Sequence, residues 1–383
     1  MTESDFTTRL PARLTTRESI TSARRIVIKI GSSSLTEPSG RLDVERVHSL
    51  ADDVVTLTER GCDVVLVSSG AIAAALGVLR LPGRPTDTAV QQAAASVGQA
   101  ILARAWSRAF ERHGRITGQV LLTESDVIRS ETYRNVRSSL EALMDLGVIP
   151  VVNENDATAT HEIRFGDNDR LAALVSQLIG ADLLVLLTDV DALYTAPPKE
   201  PGAQRIDVVA DASSLEGVSV GSVGSRVGTG GMVTKLAAAQ HAATTGTATI
   251  LTSAANARTV LEGADQGTFF PAHRGRRRSR LVWLRFATRG AGTIRVDEGA
   301  AAALRTRRRS LLAVGIVGVD GTFPAGVPVD VAGPDGEVIV RGLVAFSSDE
   351  ITPMMGLTTG SVRRTLGERY ARPVIHRDDL VLL

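Results

Sequence analysis

The amino-acid sequence predicts an α/β protein in which helices sandwich a mainly parallel sheet, followed by a second, small, mostly β domain. Three observations indicate this fold class. Strands that are apolar throughout alternate with helices over the greater part of the chain, which is typical of a parallel sheet covered on both faces. Short strands separated by turns dominate the last part. Finally, 383 residues are more than one hydrophobic core usually serves.

The elements of the first domain follow from apolar runs and from helix stop signals. Apolar residues recur every three to four positions from Asp43 to Arg60, and Gly61 follows as a C-terminal stop. We expect further helices over residues 87–113, 131–146, 169–179 and 232–245. We expect strands over residues 25–30, 62–68, 116–122, 148–152, 182–187 and 247–251. Polar segments follow four of these strands, at the edge of a parallel sheet where ligands bind.

The second domain is predicted from short strands over residues 293–296, 315–320, 327–332 and 338–346, with one helix over 298–305. The pattern changes between residues 270 and 292, so we place the first, catalytic domain at 20–275 and the β domain at 290–383. Residues 1–19 contain arginine, threonine and serine but no apolar stretch. They are therefore predicted to be a disordered extension and not a secretory signal.

The composition indicates a protein of the reducing cytoplasm that does not cross a membrane. No apolar run approaches the roughly 20 residues that a membrane-spanning helix needs. The single cysteine, Cys62, cannot form an internal disulfide, and its apolar neighbours predict a buried strand position. The net charge is +1, but 17 arginines stand against 11 acidic residues from Gly275 onward, so the two domains differ in charge.

Two lysines lie where a phosphate-binding group is expected. The 43 basic residues include few lysines, and a compact ammonium group suits a point contact with phosphate. Lys29 lies two residues before the turn that follows the first strand. Lys235 lies near the start of a helix that follows a glycine-rich segment, where free backbone N–H groups attract an anion. Either lysine alone could also be an ordinary surface residue.

No familiar catalytic motif explains these lysines. The sequence lacks G-x-x-x-x-G-K-[ST], and no G-x-G-x-x-G follows the first strand, which weighs against a P-loop or a dinucleotide-binding domain. The turn Ser68-Ser69-Gly70 lacks the glycine that a hydrolase nucleophile elbow requires. We interpret this turn as a binding site for a carboxylate or a phosphate.

Acidic and amide side chains concentrate in two segments, Asn153-Glu154-Asn155-Asp156 and Gly166-Asp167-Asn168-Asp169. A helix cap explains one of these residues, since Asp167 or Asn168 can cap the helix that follows. The others require a different partner. An ammonium-bearing substrate, a metal ion and the two lysines all fit this description.

Six motifs, in order and spacing, resemble the amino acid kinase family, and specifically its members that phosphorylate glutamate. They are IVIKIGSSSLT, VSSGAIAAALG, VVNENDATAT, EIRFGDND, LLTDVDALYT and GTGGMVTK. The segment GTIRVDEGAAAAL and the β-rich remainder resemble a PUA domain, a module shared with pseudouridine synthases and archaeosine transglycosylases. Together the two resemblances cover residues 22–383.

The resemblance implies a role for each matching residue. Lys29, Lys235 and Asp169 match the catalytic positions, with the carboxylate holding the two phosphate-contacting lysines. Ser69, Asp156 and Asn168 match the glutamate-binding positions. The ATP-binding positions correspond to Lys29, Thr188, Asp189, Thr229, Gly230, Gly231, Met232, Val233, Thr234 and Lys235. No residue is assigned to a metal ion.

The resemblance also implies an activity. The γ-phosphoryl group of ATP, with Mg²⁺, is transferred to the side-chain carboxylate of L-glutamate, giving L-glutamyl 5-phosphate and ADP in the first step of proline biosynthesis. The family further suggests feedback inhibition by proline and a homo-oligomer. Because an acyl phosphate is labile, we also expect its hand-over to a glutamyl phosphate reductase.

Two alternative functions stay open from the sequence alone. A related amino acid kinase could act on aspartate, acetylglutamate or a nucleoside monophosphate, although the two acidic segments and the added β domain weigh against it. The second domain could instead bind RNA, since arginine runs lie at 276–278 and 307–309. Its sparse aromatic residues weigh against this function.

Overall fold

The computed structural model describes residues 14–37, 41–123, 126–127, 130–158, 168–196, 200–210, 231–273, 284, 290–307 and 309–383. The chain forms two compact units, Met1–Arg276 and Arg277–Leu383, each with its own hydrophobic core. The first unit holds a mainly parallel sheet with helices between its strands, and the second holds a separate sheet. The predicted fold class is therefore confirmed.

In the described part of the first unit, six strands follow the predicted apolar runs closely, and three shorter strands were not predicted. In the described residues they are β1 (Arg25–Ile30), β2 (Asp63–Ser68), β3 (Thr117–Leu122), β4 (Ile149–Glu154), β5 (Leu183–Thr188), β6 (Leu193–Tyr194), β7 (Arg205–Ile206), β8 (Ala248–Ser253) and β9 (Thr268–Phe270). Seven of them form a sheet in the order β3-β4-β2-β1-β5-β8-β9, and β6 pairs with β7 in a separate ribbon. β9 runs antiparallel to β8, whereas the other neighbours in the large sheet are parallel.

Helices alternate with these strands. Those in the described part of the first unit are α1 (Val44–Glu59), α2 (Ala71–Leu76), α3 (Thr88–Glu111), α4 (Ser130–Asp145), α5 (Asn168–Ile179), α6 (Met232–Thr244) and α7 (Ala257–Leu261). The carboxylates of Asp43 and Asp87 cap α1 and α3 by accepting hydrogen bonds from backbone N–H groups. Across both units, no helix in the described residues has the length and apolar character needed to span a membrane.

The polar segments of the first unit meet at one edge of the large sheet. Lys29 of β1 pairs in register with Val67 of β2 and with Leu186 of β5. On the far side of β2, Val67 pairs with Val152 of β4. These four strands are parallel, so the loops that follow them open on the same carboxyl edge.

A close approach between α2 and α3 fixes the turn that follows β2. A Cβ atom built on Gly98 of α3 would lie 1.7 Å from the carbonyl oxygen of Ala71, the first residue of α2. Gly70 has a φ of +102°, a left-handed conformation that glycine adopts readily. These two glycines allow α3 to pack directly beside the turn that contains Ser69.

The described end of the predicted disordered extension is ordered, so that prediction is wrong for residues 14–19. Leu14 is buried, with an exposed fraction of 1%, and a 3₁₀ helix spans Arg17–Ser22. The guanidinium group of Arg17 donates to three backbone carbonyls near β9, those of Asp207, Gln266 and Gly267. Apolar burial and these hydrogen bonds attach the segment to the sheet. Residues 1–13 lie outside the described residues.

The second unit is a five-stranded sheet with short helices. Its strands are β10 (Thr293–Val296), β11 (Ile316–Asp320), β12 (Pro328–Ala332), β13 (Val338–Leu343) and β14 (Leu380–Leu382), in the order β11-β10-β12-β13-β14. The helices in its described residues are α8 (Glu298–Arg307), α9 (Ser348–Ile351) and α10 (Thr359–Leu366). The sequence pattern predicted α8, whereas α9 and α10 were not predicted.

Candidate active site

An ion-paired cluster of three residues lies at the carboxyl edge of the large sheet. The carboxylate of Asp169 contacts both lysines: Oδ1 lies 2.6 Å from Nζ of Lys29, and Oδ2 lies 3.1 Å from Nζ of Lys235. The exposed fraction is 0% for the Asp169 side chain, 4% for Lys29 and 10% for Lys235. The hydroxyl of Thr234 also donates to Asp169, at 3.3 Å. One buried carboxylate thus holds two ammonium groups close together.

Three different elements bring this cluster together. Lys29 is the penultimate residue of β1, the central strand of the sheet. Asp169 lies in the first turn of α5, where the positive end of the helix dipole stabilises a carboxylate. Lys235 lies in the first turn of α6. The backbone N–H groups at the start of α6, together with the two ammonium groups, provide the charges that a phosphate group requires.

A second cluster, formed by amides and a hydroxyl, adjoins the first. The Nδ2 group of Asn168 donates to Oγ of Ser69 and to Oδ1 of Asn153, both at 2.8 Å. The Nδ2 group of Asn153 donates in turn to Oε1 of Gln99, at 2.7 Å. Both asparagines are buried, whereas Ser69 and Gln99 are half-buried. Asn168 and Asp169 are the first two residues of α5, so one helix start belongs to both clusters.

The remaining predicted site residues follow β4, end β5 or lie at the start of α6. Thr188 ends β5, and its hydroxyl donates to the exposed carboxylate of Asp189 at 2.9 Å. Asp156 is half-buried shortly after β4. The start of α6 contains Gly231, Met232, Val233 and Thr234, of which Val233 is exposed. Two predicted residues, Thr229 and Gly230, lie outside the described residues. In the described ranges, no group of three or more His, Cys, Asp or Glu side chains is placed to hold a metal ion.

Two residues of the second cluster have no role in the sequence analysis. Asn153 is the penultimate residue of β4 and belongs to the segment 153–156, which was expected to meet a substrate, a metal ion or the lysines, but it received no role of its own. Gln99 lies within α3, where nothing distinguishes it from other helix residues except the preceding glycine. Gly98 marks the place where α3 touches α2, and this signal could have identified Gln99 as a neighbour of the site.

A buried histidine lies on the helix that carries Lys235. The Nε2–H group of His241 on α6 donates to Oε1 of Gln177 on α5, at 2.9 Å. Burial, followed by the positive charge of Arg170, lowers the pKa of His241 to about 4. The neutral imidazole therefore joins the helices that supply Lys235 and Asp169.

Acidification is expected to destabilise the first unit through His241. An unfolded chain has the ordinary histidine pKa of 6.5, so between pH 6.5 and about 4 the unfolded state binds a proton that the folded state does not. The stabilising contribution is complete above pH 6.5 and is lost as the pH falls towards 4, a loss of about 3 kcal/mol. His241→Gln, which keeps a donor for Gln177, should flatten this pH dependence.

Urea unfolding at several pH values in this window measures the effect on the free energy of unfolding. The matched control is His48→Gln, the same exchange at a half-buried histidine of α1, against which the slope of His241→Gln is compared. Equal slopes for His241→Gln and the wild-type chain would contradict the prediction.

Comparison with known proteins identifies both domains. Residues 24–253 match the model of the amino acid kinase family, and residues 292–366 match that of the PUA domain. The chain is 51% identical to glutamate 5-kinase of Bifidobacterium adolescentis over 374 residues, 97% of this chain and 99% of that protein. It is also 51% identical to glutamate 5-kinase of Thermobifida fusca over 370 residues, 96% of this chain and 95% of that protein.

The fold of the first unit has a solved counterpart. Carbamate kinase from Giardia lamblia bound to AMP-PNP superposes with a TM-score of 0.50 at 19% sequence identity, covering 66% of this chain and 100% of that chain. At this identity the likeness concerns the fold alone. The family match and the full-length relatives go further: this chain belongs to the amino acid kinase family, within its glutamate 5-kinase group, and has an added PUA domain.

Proposed function

We propose that this protein is an ATP-dependent kinase that phosphorylates the side-chain carboxylate of L-glutamate, the first step of proline biosynthesis. The buried cluster of Lys29, Asp169 and Lys235 supports the proposal, because it holds two ammonium groups close together, as the neutralisation of a transferring phosphoryl group requires. The relatives named glutamate 5-kinase, 51% identical over nearly the whole chain, support glutamate as the acceptor.

In the proposed reaction, the side-chain carboxylate of glutamate attacks the γ-phosphorus of ATP in line. A P–O bond to a carboxylate oxygen forms while the bond between the γ-phosphorus and the β–γ bridging oxygen breaks, which gives L-glutamyl 5-phosphate and ADP. The ionised carboxylate is already a nucleophile, so no base has to remove a proton. The task of the chain is to bring two anions together and to hold them in line.

Lys29 and Lys235 neutralise the phosphoryl group during transfer in this proposal. They approach Asp169 from β1 and from α6, so their ammonium groups come from different elements of the fold. Asp169 holds both groups in fixed positions through contacts of 2.6 and 3.1 Å. Charges that are fixed before the reaction stabilise a transition state without reorganisation during it.

In this proposal the second cluster binds glutamate, the acceptor of the phosphoryl group. The hydroxyl of Ser69 and the amide of Asn168 form hydrogen bonds with the polar groups of glutamate. Asp156 pairs with the α-ammonium group of glutamate. This pairing would select glutamate over a simple dicarboxylate. Because Asn168 and Asp169 are consecutive residues of α5, the acceptor and the phosphoryl group are held close to each other.

The nucleotide contacts the end of β5 and the start of α6 in this proposal. Thr188, Asp189 and residues 229–235 form the ATP site, with the backbone N–H groups of α6 directed at the phosphates. ATP enters as its Mg²⁺ complex, in which phosphate oxygens carry the metal ion. We assign no described residue to the metal.

Further parts of the proposal follow from the family and not from the site. We expect proline to inhibit by feedback, the chain to form a homo-oligomer, and the labile product to pass to a glutamyl phosphate reductase. We expect the reaction to take place in the cytoplasm. RNA is not proposed as a partner of the second domain, because aromatic residues that stack on bases are sparse there.

Product trapping tests the proposed function. The purified chain is incubated with ATP, Mg²⁺ and hydroxylamine, which converts an acyl phosphate into a hydroxamate, while ADP release is measured in parallel. L-Glutamate is compared with L-aspartate, N-acetylglutamate and UMP. Hydroxamate formed with glutamate alone supports the proposal. Turnover with another acceptor would reject glutamate as the substrate, and no ADP release with any of them would reject kinase activity.

Asp156→Ala is expected to raise the KM for glutamate by about 10-fold or more, with a smaller change in the KM for ATP. The physical reason is the loss of a charge-assisted hydrogen bond to the α-ammonium group, worth about 1.5–3 kcal/mol. Steady-state kinetics measure both constants, with Asp145→Ala at the exposed end of α4 as the control. A larger rise in the KM for ATP would refute the pairing.

A further inference from the structure

We propose that Gln99 is a positioning residue for the proposed glutamate site. Through Asn153, it determines which atoms of Asn168 and Ser69 donate hydrogen bonds to the substrate and which accept them. The inference rests on the proposed function and deepens it. Gln99 lies within α3, outside every motif that indicates the family.

One backbone group determines the polarity of this series of side chains. The N–H group of Glu154 lies 2.9 Å from the Asn153 amide atom that accepts its hydrogen bond. A backbone N–H can only donate, so that atom must be the oxygen of Asn153. The nitrogen of the same amide therefore faces Gln99, 2.7 Å away, and Gln99 must present its oxygen there.

The orientation of the Asn153 amide determines those of Asn168 and Ser69, the two residues proposed to contact glutamate. The oxygen of Asn153 also accepts from Asn168 at 2.8 Å, so Asn168 must present its nitrogen to it. That nitrogen donates its other hydrogen to Oγ of Ser69, at 2.8 Å. The carbonyl oxygen of Asn168 then serves as the acceptor for a substrate ammonium group, and the Ser69 hydroxyl can donate its hydrogen to a substrate carboxylate.

Gln99 provides the last acceptor in the series. Without it, the Nδ2 group of Asn153 loses this partner in a residue that is only 3% exposed, and a buried unsatisfied donor is costly. Rotating the Asn153 amide does not solve the problem, because its nitrogen would then face the N–H donors of Glu154 and Asn168. Asn168 would have to turn as well and would direct its own N–H groups at a positively charged substrate group.

The packing of α3 keeps Gln99 within reach of Asn153. Gly98 lies against Ala71 so closely that a Cβ atom at residue 98 would be 1.7 Å from the Ala71 carbonyl oxygen. The next residue of α3 is therefore held beside the turn that contains Ser69. Helix packing, and not the length of a flexible loop, sets the distance between Gln99 and the amide cluster.

Variants of the full chain test this role, with hydroxamate formation from glutamate as the assay. Gln99→Met keeps the size of the side chain but removes the acceptor, so the KM for glutamate should rise by about 10-fold while the KM for ATP changes by less than about twofold. Gln99→Glu keeps an acceptor oxygen and should recover most of the loss. Gln92→Met, two turns earlier on α3, is the matched control and should leave both constants unchanged.

A double variant distinguishes action through Asn168 from direct contact between Gln99 and the substrate. In an Asn168→Ala background, Gln99→Met should have no further effect on the KM for glutamate, because the residue that it positions is gone. Equal fold-changes in both backgrounds, or an unchanged KM in the single variant, would overturn the proposal. If the wild-type chain forms no hydroxamate with glutamate, the proposed function fails instead.

Thermal unfolding midpoints establish that each variant is folded. Gln99 is half-buried, so methionine is expected to be tolerated at this position. If Gln99→Met does not fold, Gln99→Ala replaces it in the same two comparisons, with the same expected and contradicting results.

Discussion

Replacing Lys29 with arginine is expected to lower kcat by about 10²- to 10³-fold, nearly as much as replacing it with methionine. Arginine keeps the positive charge at position 29, but its guanidinium group needs more space than the ammonium group of lysine. The ammonium group of Lys29 lies 2.6 Å from Oδ1 of Asp169. A Cβ atom built on Gly31 would lie 3.7 Å from the same ammonium group. A planar guanidinium group cannot take the place of a compact ammonium group there. The loss corresponds to about 3 to 4 kcal/mol of barrier.

The matched control makes the opposite exchange in the same strand. Arg25 begins β1 and forms an ion pair of 3.0 Å with Asp63 at the amino edge of the sheet. Arg25→Lys should leave kcat unchanged when ADP release is measured at saturating ATP and glutamate. Near-normal kcat in Lys29→Arg would show that any cation suffices and would contradict the assigned role of Lys29.

Replacing Asp169 with asparagine is expected to impair stability and turnover together. The carboxylate is the shared counter-charge of Lys29 and Lys235, so its removal leaves two buried ammonium groups that repel each other. Breaking a buried ion pair typically costs about 3 to 5 kcal/mol of the free energy of unfolding. We expect kcat to fall by about 10²-fold or more. The phosphates of ATP relieve the repulsion, so ATP should raise the unfolding midpoint of Asp169→Asn at least as much as that of the wild-type chain.

A half-exposed ion pair at the other edge of the sheet provides the control. The side chain of Asp63 is 36% exposed, so Asp63→Asn should cost less than about 1 kcal/mol and leave turnover normal. Denaturant unfolding with and without ATP, together with ADP release, separates the two effects. Wild-type stability in Asp169→Asn would show that the lysines do not depend on this carboxylate, against our assignment.

The large sheet could be predicted because its strands carry continuous apolar runs. β1 has the predicted bounds, and its lysine is conspicuous in a chain whose basic residues are nearly all arginine. Parallel strands share a carboxyl edge, so the polar segments after them could be expected to meet. The contact between Lys29 and Asp169, which are 140 residues apart in sequence, is a direct result of this geometry.

The features that could not be predicted depend on contacts between distant parts of the chain. β9 has only three residues, too few for a periodic pattern, and its Phe269 also forms a bridge with Val208, 61 residues earlier in the chain. Arg17 is held by a carbonyl group 250 residues away. Apolar spacing does not identify the face of α3 that contains Gln99, because alanines around it blur the pattern, and Gly98 marks that face without showing what it contacts. In each case the sequence shows the residue but not its partner.

Consecutive positions at the start of α5 divide two tasks between two side chains. Asn168 turns towards Ser69 and Asn153, whereas Asp169 turns towards the lysines, because neighbouring residues of a helix point about 100° apart. In the proposed mechanism, mutations around Asn168 therefore change the binding of glutamate while the ion pairs of Asp169 persist. A new substrate would then require fewer mutations during evolution, since the cluster proposed to transfer the phosphoryl group stays unchanged.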